Sequence, residues 1–479
     1  MYRVNPYVTR MQITPDSELW YNPLNQRILI LNHKDLSDVN SGKPGRKLVE
    51  HAFVIKCKAD ETDPEILTRI WDSVVKSYSF EPKIEVAYFI LTEQCNLACK
   101  YCFVKRGTIG HGSAEASRMP VDVMDRGLEL FSLFAKNAKE PVINLYGGEP
   151  LLNDRGFAHL LERVESMKSD GTMPSRTATT LVTNGLALND AIISLIKKHR
   201  VALSISLDGP PELNDKMRVY PDGTGSSTAV IKNIKSLSRI GVWFTISCSI
   251  TKYNLSRLDE AVKYFMEELG CREISLNMPM ITDEFKPDPS RMAENMLRAY
   301  ETIKSNGGSE DRFSRILRPL IEGGIKVSDC AGCGGQIVVS PNGLIGPCHA
   351  YLGYKDGHFI DFGLLNDDPR TVKKRIERSE LFGAWARKSP LLNHACDSCK
   401  VFSLCGGGCY HFAETHGLEK DENWCAYVKA ASAWALKRIS AEEKDDLRAE
   451  AEKVFRAKRP DGMSIPRSLR RKQRNRSAS

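Results

Sequence analysis

The chain has 479 residues, of which 42% are hydrophobic and 27% are charged. This balance excludes a mostly disordered protein, and the length predicts two or three domains rather than a single core. The formal net charge of +8 is concentrated at the end, because residues 458–479 contain eight Lys or Arg and one Asp. The rest of the chain is nearly neutral, which argues against nucleic acid as a partner of the folded part.

Residues 1–82 are predicted to form a small α+β domain. Two strand-like runs, residues 10–22 and 27–32, are joined by the turn sequence PLNQ, and a helical pattern follows at residues 64–78. An exposed strand edge can accept an extended peptide. The segment is therefore a candidate peptide-recognition region, and the alternative is a simple cover for the domain that follows.

Targeting and redox features also point to one compartment. The chain begins without the apolar core of a signal peptide and contains no apolar run as long as a membrane span. We expect a cytoplasmic protein without a membrane partner, in which thiols stay reduced. Its 14 cysteines then favour metal binding over disulfides.

Residues 83–325 alternate β-branched apolar runs with amphipathic helical segments, which is the pattern of βα units around a parallel sheet. Six units predict an α/β fold, a partial (β/α)6 barrel of the TIM type with its site at the C-terminal ends of the strands. The predicted strands are residues 83–91, 141–148, 177–185, 201–209, 242–251 and 273–280. The chemically unusual stretches of this region each follow one of them.

The first such stretch, LTEQCNLACKYCF at residues 91–103, contains Cys95, Cys99 and Cys102. Zinc takes four ligands and disulfides need an even number of thiols, whereas three thiolates on a four-iron cube leave one iron open to a chelating molecule. CxxxCxxC with Tyr101 before its last cysteine resembles the radical S-adenosylmethionine (SAM) superfamily. The resemblance implies reductive cleavage of SAM to a 5'-deoxyadenosyl radical and an external electron donor of the flavodoxin or ferredoxin type. A zinc half-site is the alternative.

A second motif of this superfamily follows the second strand. YGGEP ends with Gly147, Gly148, Glu149 and Pro150, and the resemblance implies that the glycines let the backbone approach the methionine moiety while Glu149 accepts from its ammonium group. Further residues resemble positions that hold the SAM ribose and carboxylate, with loop capping or ion pairing as the alternative role. They are Asn184, Ser206, Asp208 and Arg218. Where relatives often carry His ahead of this Arg, the chain has Asn214.

Residues 326–430 contain a second group of cysteines. Their arrangement resembles the SPASM domain, which follows the barrel in many radical SAM enzymes. Eight thiols would serve two auxiliary four-iron clusters, which makes three [4Fe-4S] clusters in all. By resemblance the first auxiliary cluster takes Cys330, Cys333, Cys348 and Cys409, and the second takes Cys396, Cys399, Cys405 and Cys425. Cys330 lies closer to Cys333 than its counterpart does in relatives. Zinc ribbons are the alternative, and Cys57, Cys248 and Cys271 are interpreted as buried thiols.

Enzymes of this type mostly act on ribosomal peptides or proteins. We expect a maturase that forms thioether or carbon–carbon cross-links in a peptide carrying a leader segment, with residues 1–82 as the possible leader-binding region. Oxidation of Cys or Ser to formylglycine, as in sulfatase maturases, is the alternative, and a zinc scaffold protein is the third. His349 fills the slot where sulfatase maturases usually place an Asp base; it is either a catalytic base or a hydrogen-bonded neighbour of a cluster.

The end of the chain has its own pattern. Residues 431–457 are predicted to form an exposed C-terminal helix, and residues 458–479 a basic disordered tail. RNA or acidic-partner binding is the alternative interpretation of this tail.

Overall fold

The structure, a computed structural model, describes residues 1–102, 118–278, 285–352 and 357–439. Its N-terminal part contains a three-stranded antiparallel sheet, a two-stranded sheet and three helices. The strands are β1 (Tyr2–Val4), β2 (Thr9–Thr14), β3 (Ser17–Asn22), β4 (Arg27–Asn32) and β5 (Val54–Lys56), and the helices are α1 (His33–Asn40), α2 (Arg46–Glu50) and α3 (Asp63–Lys76). Strand order β2-β3-β4 leaves β2 and β4 at the edges, while β1 pairs with β5.

One expectation for this region was too simple. Residues 10–22, predicted as one strand-like run, form an antiparallel hairpin of β2 and β3. Pro15 and Asp16 lie between the two strands, and both residue types favour turns. The predicted helix is present as α3, which begins with a capping box between Thr62 and Glu65.

A nine-stranded sheet forms the centre of the protein, in the order β12-β11-β10-β9-β8-β7-β6-β13-β14. Its strands are β6 (Val86–Thr92), β7 (Val142–Gly147), β8 (Ala178–Thr183), β9 (Ala202–Ser206), β10 (Phe244–Ser249), β11 (Glu273–Asn277), β12 (Ser309–Glu310), β13 (Gln336–Val339) and β14 (Ile345–Gly346). The run from β12 to β13 is parallel, and β14 is antiparallel to β13. The six predicted strands are confirmed, and the mixed α/β fold with a parallel sheet is the predicted one.

The sheet also continues beyond the six predicted units. β12 extends it next to β11, and β13 pairs in parallel with β6 at the other end. The expected boundary between residues 325 and 326 therefore falls between two strands of the same sheet. β12 has two residues and β13 follows Gly334 and Gly335, so neither carried a periodic pattern long enough to be recognised.

Helices cover the outer face of this sheet and build the C-terminal part. They are α4 (Val121–Ala135), α5 (Asp154–Ser169), α6 (Asp190–Lys198), α7 (Pro211–Asn214), α8 (Ser227–Arg239), α9 (Leu258–Glu267), α10 (Pro289–Ser305), α11 (Asp311–Glu322), α12 (Pro369–Arg378), α13 (Glu380–Ala386), α14 (Phe402–Cys405), α15 (Tyr410–Thr415) and α16 (Glu422–Ile439). Alternate strand residues such as Phe89 and Leu145 are fully buried towards the helices. Their neighbours, including Tyr88, Tyr146 and Ser247, are half-buried and form the inner face of the sheet.

The expectation of an exposed helix from residue 431 was wrong for the part that is described. Helix α16 crosses residues 430 and 431 without a break, and Ala431 and Ala435 are fully buried. Small side chains there let α16 pack along α10, where the Trp434 indole N–H donates to Glu301 at 2.6 Å. Residues 440–457 and the predicted basic tail lie outside the described residues.

The N-terminal part contacts the cysteine-rich part directly. The Tyr7 hydroxyl donates to the main-chain oxygen of Asp397 at 2.5 Å, between Cys396 and Cys399. The rings of Tyr7, Trp71 and Phe402 pack together in one apolar cluster. Among the helices of the described residues, none is both long and apolar enough to cross a membrane.

Candidate functional site

The first candidate cysteine loop follows β6 and is held by main-chain hydrogen bonds. Ala98 N donates to Val219 O at 2.7 Å, and Lys100 N donates to Met217 O at 2.9 Å. Leu97 N donates to the Cys95 sulfur at 3.4 Å. These bonds fix the loop against residues 217–219, and amide donors of this kind suit a thiolate that ligates iron.

The two glycines of the second motif lie directly against this loop. Gly148 N donates to Thr92 O at 2.9 Å, and Glu149 N donates to Gln94 O at 2.7 Å. A Cβ atom on Gly147 would overlap the oxygen of Thr92, and one on Gly148 would overlap that of Gln94. Gly147 also has a φ of +148°, a conformation that other residues rarely adopt. The two glycines therefore allow the second motif to pack against the cysteine loop, in addition to any contact that they make with SAM.

The carboxylate of Glu149 is fully buried and accepts three hydrogen bonds. One oxygen accepts from the Leu151 amide (3.1 Å) and the Thr183 hydroxyl (2.8 Å), and the other accepts from the Asn184 amide (2.7 Å). Burial raises the pKa of Glu149 to about 7 despite these three bonds. A cation brought beside this group would lower its pKa again and keep the carboxylate charged.

Asn184 links the same region to the cysteine loop. Its amide nitrogen Nδ2 donates to Asn96 Oδ1 at 2.7 Å and lies 3.9 Å from the Cys95 sulfur. Pro150 begins the short 3-10 turn after Glu149 and is buried. The turn keeps Glu149 at the end of β7, next to the loop.

Three further candidate residues form a buried network among themselves. Asp208 accepts from the Tyr101 hydroxyl at 2.6 Å, and the Nε atom of Arg218 lies 3.1 Å from the same oxygen. The other Asp208 oxygen accepts from Ser249 N at 2.9 Å. Asn214, at the position where relatives often carry His, accepts from Asp208 N at 3.1 Å. Asp208 and Arg218 are thus an ion pair in this structure, and the arrangement positions Tyr101 beside Cys102.

Ser206 ends β9 and is half-buried on the inner face of the sheet. Asp208 follows two residues later, in the loop after this strand. The side chain of Ser206 thus faces the interior of the partial barrel, the same side as Tyr88 and Tyr146.

The three thiols of the first loop lie close enough to influence one another. Burial, with smaller contributions from the charges of Glu149, Cys99 and Cys102, raises the pKa of Cys95 to about 12, although the Leu97 amide acts in the opposite direction. In the described residues, no group of three or more His, Cys, Asp or Glu side chains has the geometry for a single metal ion. Each cysteine on a four-iron cube binds a different iron, so a cube needs its thiols further apart than one ion does.

The first auxiliary group brings together Cys330, Cys333, Cys348 and Cys409. Burial raises the pKa of Cys333, and the charges of the other three thiols raise it further. Main-chain amides of Gly332 and Phe412 donate to the sulfurs of Cys330 (3.3 Å) and Cys409 (3.4 Å). Cys330, the member with the unusual spacing, is therefore close to the other three.

The second auxiliary group brings together Cys396, Cys399, Cys405 and Cys425. Burial, together with the charges of Cys425 and Cys399, raises the pKa of Cys396 to about 11. Burial also raises the pKa of Cys405, with contributions from Cys425 and Cys399. The Gly407 amide donates to the Cys405 sulfur at 3.4 Å. Both auxiliary sets thus have the donor atoms and amide contacts that suit iron–sulfur clusters.

His349 packs between two tyrosines that sequence reasoning did not single out. Its ring stacks on Tyr88 with 4.8 Å between centroids and lies 4.9 Å from the ring of Tyr146. Burial, with a smaller contribution from the charge of His411, lowers the pKa of His349 to about 4. Both tyrosines occupy inner-face positions in the alternating patterns of β6 and β7. This alternation is the sequence feature that could have identified them.

Comparison with known proteins agrees with this site. The sequence pattern of the radical SAM superfamily matches residues 89–265. The chain is 24% identical over 351 residues to the radical SAM cyclopropyl synthase TigE of Paramaledivibacter caminithermalis, covering 68% of each protein. It is 24% identical over 339 residues to a cysteine-type anaerobic sulfatase-maturating enzyme of Clostridium novyi, covering 66% of this chain and 85% of that enzyme.

A solved structure shares the fold. Native anSMEcpe with bound AdoMet and the Cp18Cys peptide superposes with a TM-score of 0.59 at 19% identity, over 78% of this chain and 100% of that chain. The match to the superfamily pattern spans the cysteine loop, the GGEP motif and the Asp208–Arg218 pair. We conclude that the chain contains a radical SAM domain and is a radical SAM enzyme.

Proposed function

We propose that this enzyme is a maturase of the SPASM type that modifies a ribosomally made peptide or protein by thioether or carbon–carbon cross-linking. Cys95, Cys99 and Cys102 would hold a four-iron cluster with SAM, and these groups would supply the radical chemistry for hydrogen abstraction from unactivated carbon. The observation that carries the proposal is the grouping of cysteines. Eleven thiols fall into a set of three beside the GGEP motif and two sets of four in the C-terminal part.

We further propose three [4Fe-4S] clusters, one on each set. The set of three leaves an iron open for SAM, and the sets of four are complete auxiliary clusters. Glu149 would accept from the SAM ammonium group through the lone pair on its Oε2 oxygen that the three protein donors leave free. An external one-electron donor of the flavodoxin or ferredoxin type would reduce the first cluster.

The proposal of a peptide substrate has two supports. Relatives of the chain include maturases, and the structure of anSMEcpe contains a bound peptide. Within this chain, β4 is an edge strand of the small sheet, and Ile30 on it is 55% exposed. An edge of this kind can pair with an extended leader peptide, so residues 1–82 are proposed as the leader-binding region.

Formylglycine formation is the second candidate, because a sulfatase-maturating enzyme is among the relatives. In that reaction His349 would have to take the place of an Asp base. Its lowered pKa keeps the imidazole neutral near pH 7 and makes it a weak proton acceptor. Its packing between Tyr88 and Tyr146, next to Cys348, favours a role in holding the first auxiliary cluster.

The experiment that separates the two functions is co-expression with each short reading frame encoded beside the gene. A cross-linked peptide loses hydrogen, keeps the heteroatoms of both side chains and yields linked fragments on mass spectrometry after proteolysis. A formylglycine product instead reacts with a hydrazide reagent. An aldehyde without linked fragments would replace cross-linking by the second candidate.

A further inference from the structure

Arg312 occupies an unusual position for a cation. It lies in the first turn of α11, and its guanidinium donates to Asn277 Oδ1 at 2.7 Å. Asn277, the last residue of β11, donates in turn to the Ser247 hydroxyl on β10 at 2.8 Å. Ser247 and Asn277 are half-buried on the inner face, so this chain of hydrogen bonds lies at the C-terminal rim of the sheet. In parallel α/β sheets this rim carries the reaction site.

Arg312 has no carboxylate partner among the described residues, although several acids are close. They are engaged elsewhere: Asp311 with Arg315, Asp329 with Lys326 and Arg315, Asp421 with the Trp424 and Cys409 amides, and Glu310 with the Leu276 and Phe313 amides. The Nε atom of Arg312 is buried without a hydrogen-bond acceptor. The structure therefore holds a cation at the rim with hydrogen-bonding capacity to spare.

Such an arrangement favours an anionic ligand. Asp329 and Asp421 lie near enough to offset part of the charge of Arg312, but neither forms an ion pair with it among the described residues, and its buried Nε donor has no acceptor. A ligand oxygen that accepts from this donor recovers the cost of burying it. The planar guanidinium group pairs with carboxylates in a fork geometry that a single amide partner does not use fully. Asn277 holds one end of the guanidinium and leaves the Nε donor for the ligand.

The side of the rim near β6 is aromatic. Tyr88, Tyr146 and His349 form a wall on the inner face, and Cys330 lies within electrostatic range of both Tyr88 and Arg312. Tyr146 also lies within electrostatic range of Cys348 and of Cys102, which belongs to the SAM-side set. The aromatic wall thus lies close to cysteines of both the SAM-side set and the first auxiliary set.

We propose that Arg312, positioned by Asn277, binds a carboxylate of the peptide substrate. This contact would select the residue that enters beside the aromatic wall, because that residue must be next to an acidic group. The carboxylate is that of an Asp or Glu side chain or of the peptide C-terminus. This inference rests on the proposed function, because it needs a peptide substrate. A different role for the cation, offsetting the charge of a cluster on Cys330 and Cys409, makes different predictions.

The test uses the SAM-loaded holoenzyme and three synthetic tetrapeptides of otherwise equal sequence. One has an internal Glu and an amidated end, one has Gln with an amidated end, and one has Gln with a free C-terminal carboxylate. We expect calorimetric titration to show about 10-fold or more tighter binding of one carboxylate peptide over the doubly neutral peptide. The Glu and free-end peptides distinguish the two sources of the carboxylate.

Variants identify the residue responsible. Arg312→Gln removes the cation, and Asn277→Asp keeps it but supplies an internal carboxylate that occupies it; both should abolish the preference. Arg318→Gln on the same helix, whose partner is the exposed Glu322, is the matched control and should retain it. The proposal is overturned if the wild type shows no preference, or if the preference survives in both site variants.

Iron, sulfide and substrate-free SAM cleavage are measured for every variant. A failure of the proposed function would appear in these measurements, whereas a failure of the Arg312 proposal would appear only in the peptide preference. Potentiometry followed by electron paramagnetic resonance adds a further readout. A shifted midpoint potential of an auxiliary cluster in Arg312→Gln, with the peptide preference intact, would assign the cation to the cluster and overturn the proposal.

Discussion

A Cβ atom on Gly148 would overlap the main-chain oxygen of Gln94 in the cysteine loop. The cysteine loop and the GGEP motif lie far apart in the sequence but pack against each other at Gly148. Their contact includes the 2.7 Å hydrogen bond from Glu149 N to Gln94 O. Gly148→Ala should push the loop away from the end of β7. We expect iron to fall from about twelve to about eight per chain, since the auxiliary sets do not depend on this contact.

Gly45→Ala is the matched control for this change, because its Cβ would have open space and its φ is −58°. It should load the full amount of iron. A Gly148→Ala enzyme with unchanged iron and normal SAM cleavage would show that the loop tolerates the shift.

Glu149→Gln should weaken SAM binding. The substitution removes the charge that would face the ammonium group, and it presents an N–H donor to protein groups that are themselves donors. We expect a loss on the order of 1.5–3 kcal/mol in SAM affinity, as for a charge-assisted hydrogen bond. Equilibrium dialysis of SAM against the anaerobic protein measures it.

Thr183→Val separates the two effects of that change. It removes one donor to Glu149 and leaves the charge in place. We expect a smaller loss of SAM affinity than in Glu149→Gln. Equal losses in the two variants would mean that the carboxylate charge does not contact SAM.

Glu310 gives a pH dependence of stability. Its carboxyl is fully buried at the start of α11, and burial raises the pKa to about 7 from an ordinary value of 4.5. A raised pKa in the folded state means that the stabilising contribution is complete below the ordinary value and is lost as pH rises through 7. The difference corresponds to about 3 kcal/mol in the free energy of unfolding.

The side chain in Glu310→Gln cannot ionise. The difference in free energy of unfolding between the wild type and this variant should therefore shrink as the pH rises from 5.5 to 8. Thermal midpoints of the anaerobic holoenzyme measure the change. Glu267→Gln, at an exposed position of α9, should show no such trend. A constant difference between the wild type and Glu310→Gln over this range would contradict the assignment.

The sequence was sufficient for features with a local pattern and insufficient for those made by distant contacts. The alternation of β-branched residues identified the six central strands, whereas the grouping of the cysteines came from the resemblance to the SPASM domain and stays a prediction. The pairing of Val338 with Tyr88 was not foreseeable, because β13 is short and its partner is a strand far earlier in the chain. The ion pair of Asp208 with Arg218 and the hydrogen bond of Arg312 to Asn277 likewise depend on the folded positions of separate elements.

The cluster count is the direct test of the metal assignment. Reconstituted protein should carry about twelve irons with matching sulfide, and changing Cys95, Cys99 and Cys102 together to Ala should leave about eight while eliminating SAM cleavage. Iron near four in the wild type would remove the auxiliary clusters. Tightly bound zinc without sulfide would instead support a zinc scaffold protein.

His349 provides the last prediction, because its two roles require different properties of the side chain. As a neighbour of the first auxiliary cluster it contributes ring packing against Tyr88 and Tyr146, and as a base it contributes a nitrogen lone pair. His349→Ala opens space beside Cys348 and should lower the iron content or alter the auxiliary spectrum. His349→Phe restores an aromatic ring without the nitrogen, so we expect it to recover both.

The pH profile adds an independent readout. With a pKa of about 4 the imidazole is already neutral throughout pH 5.5–8, so protonation of His349 should leave no inflection in substrate modification over that range. Substrate-free SAM cleavage, measured alongside, reports whether the SAM-side cluster is intact. A His349→Phe enzyme with full iron and normal SAM cleavage but no substrate modification would establish the catalytic base instead, since only the lone pair would then be missing.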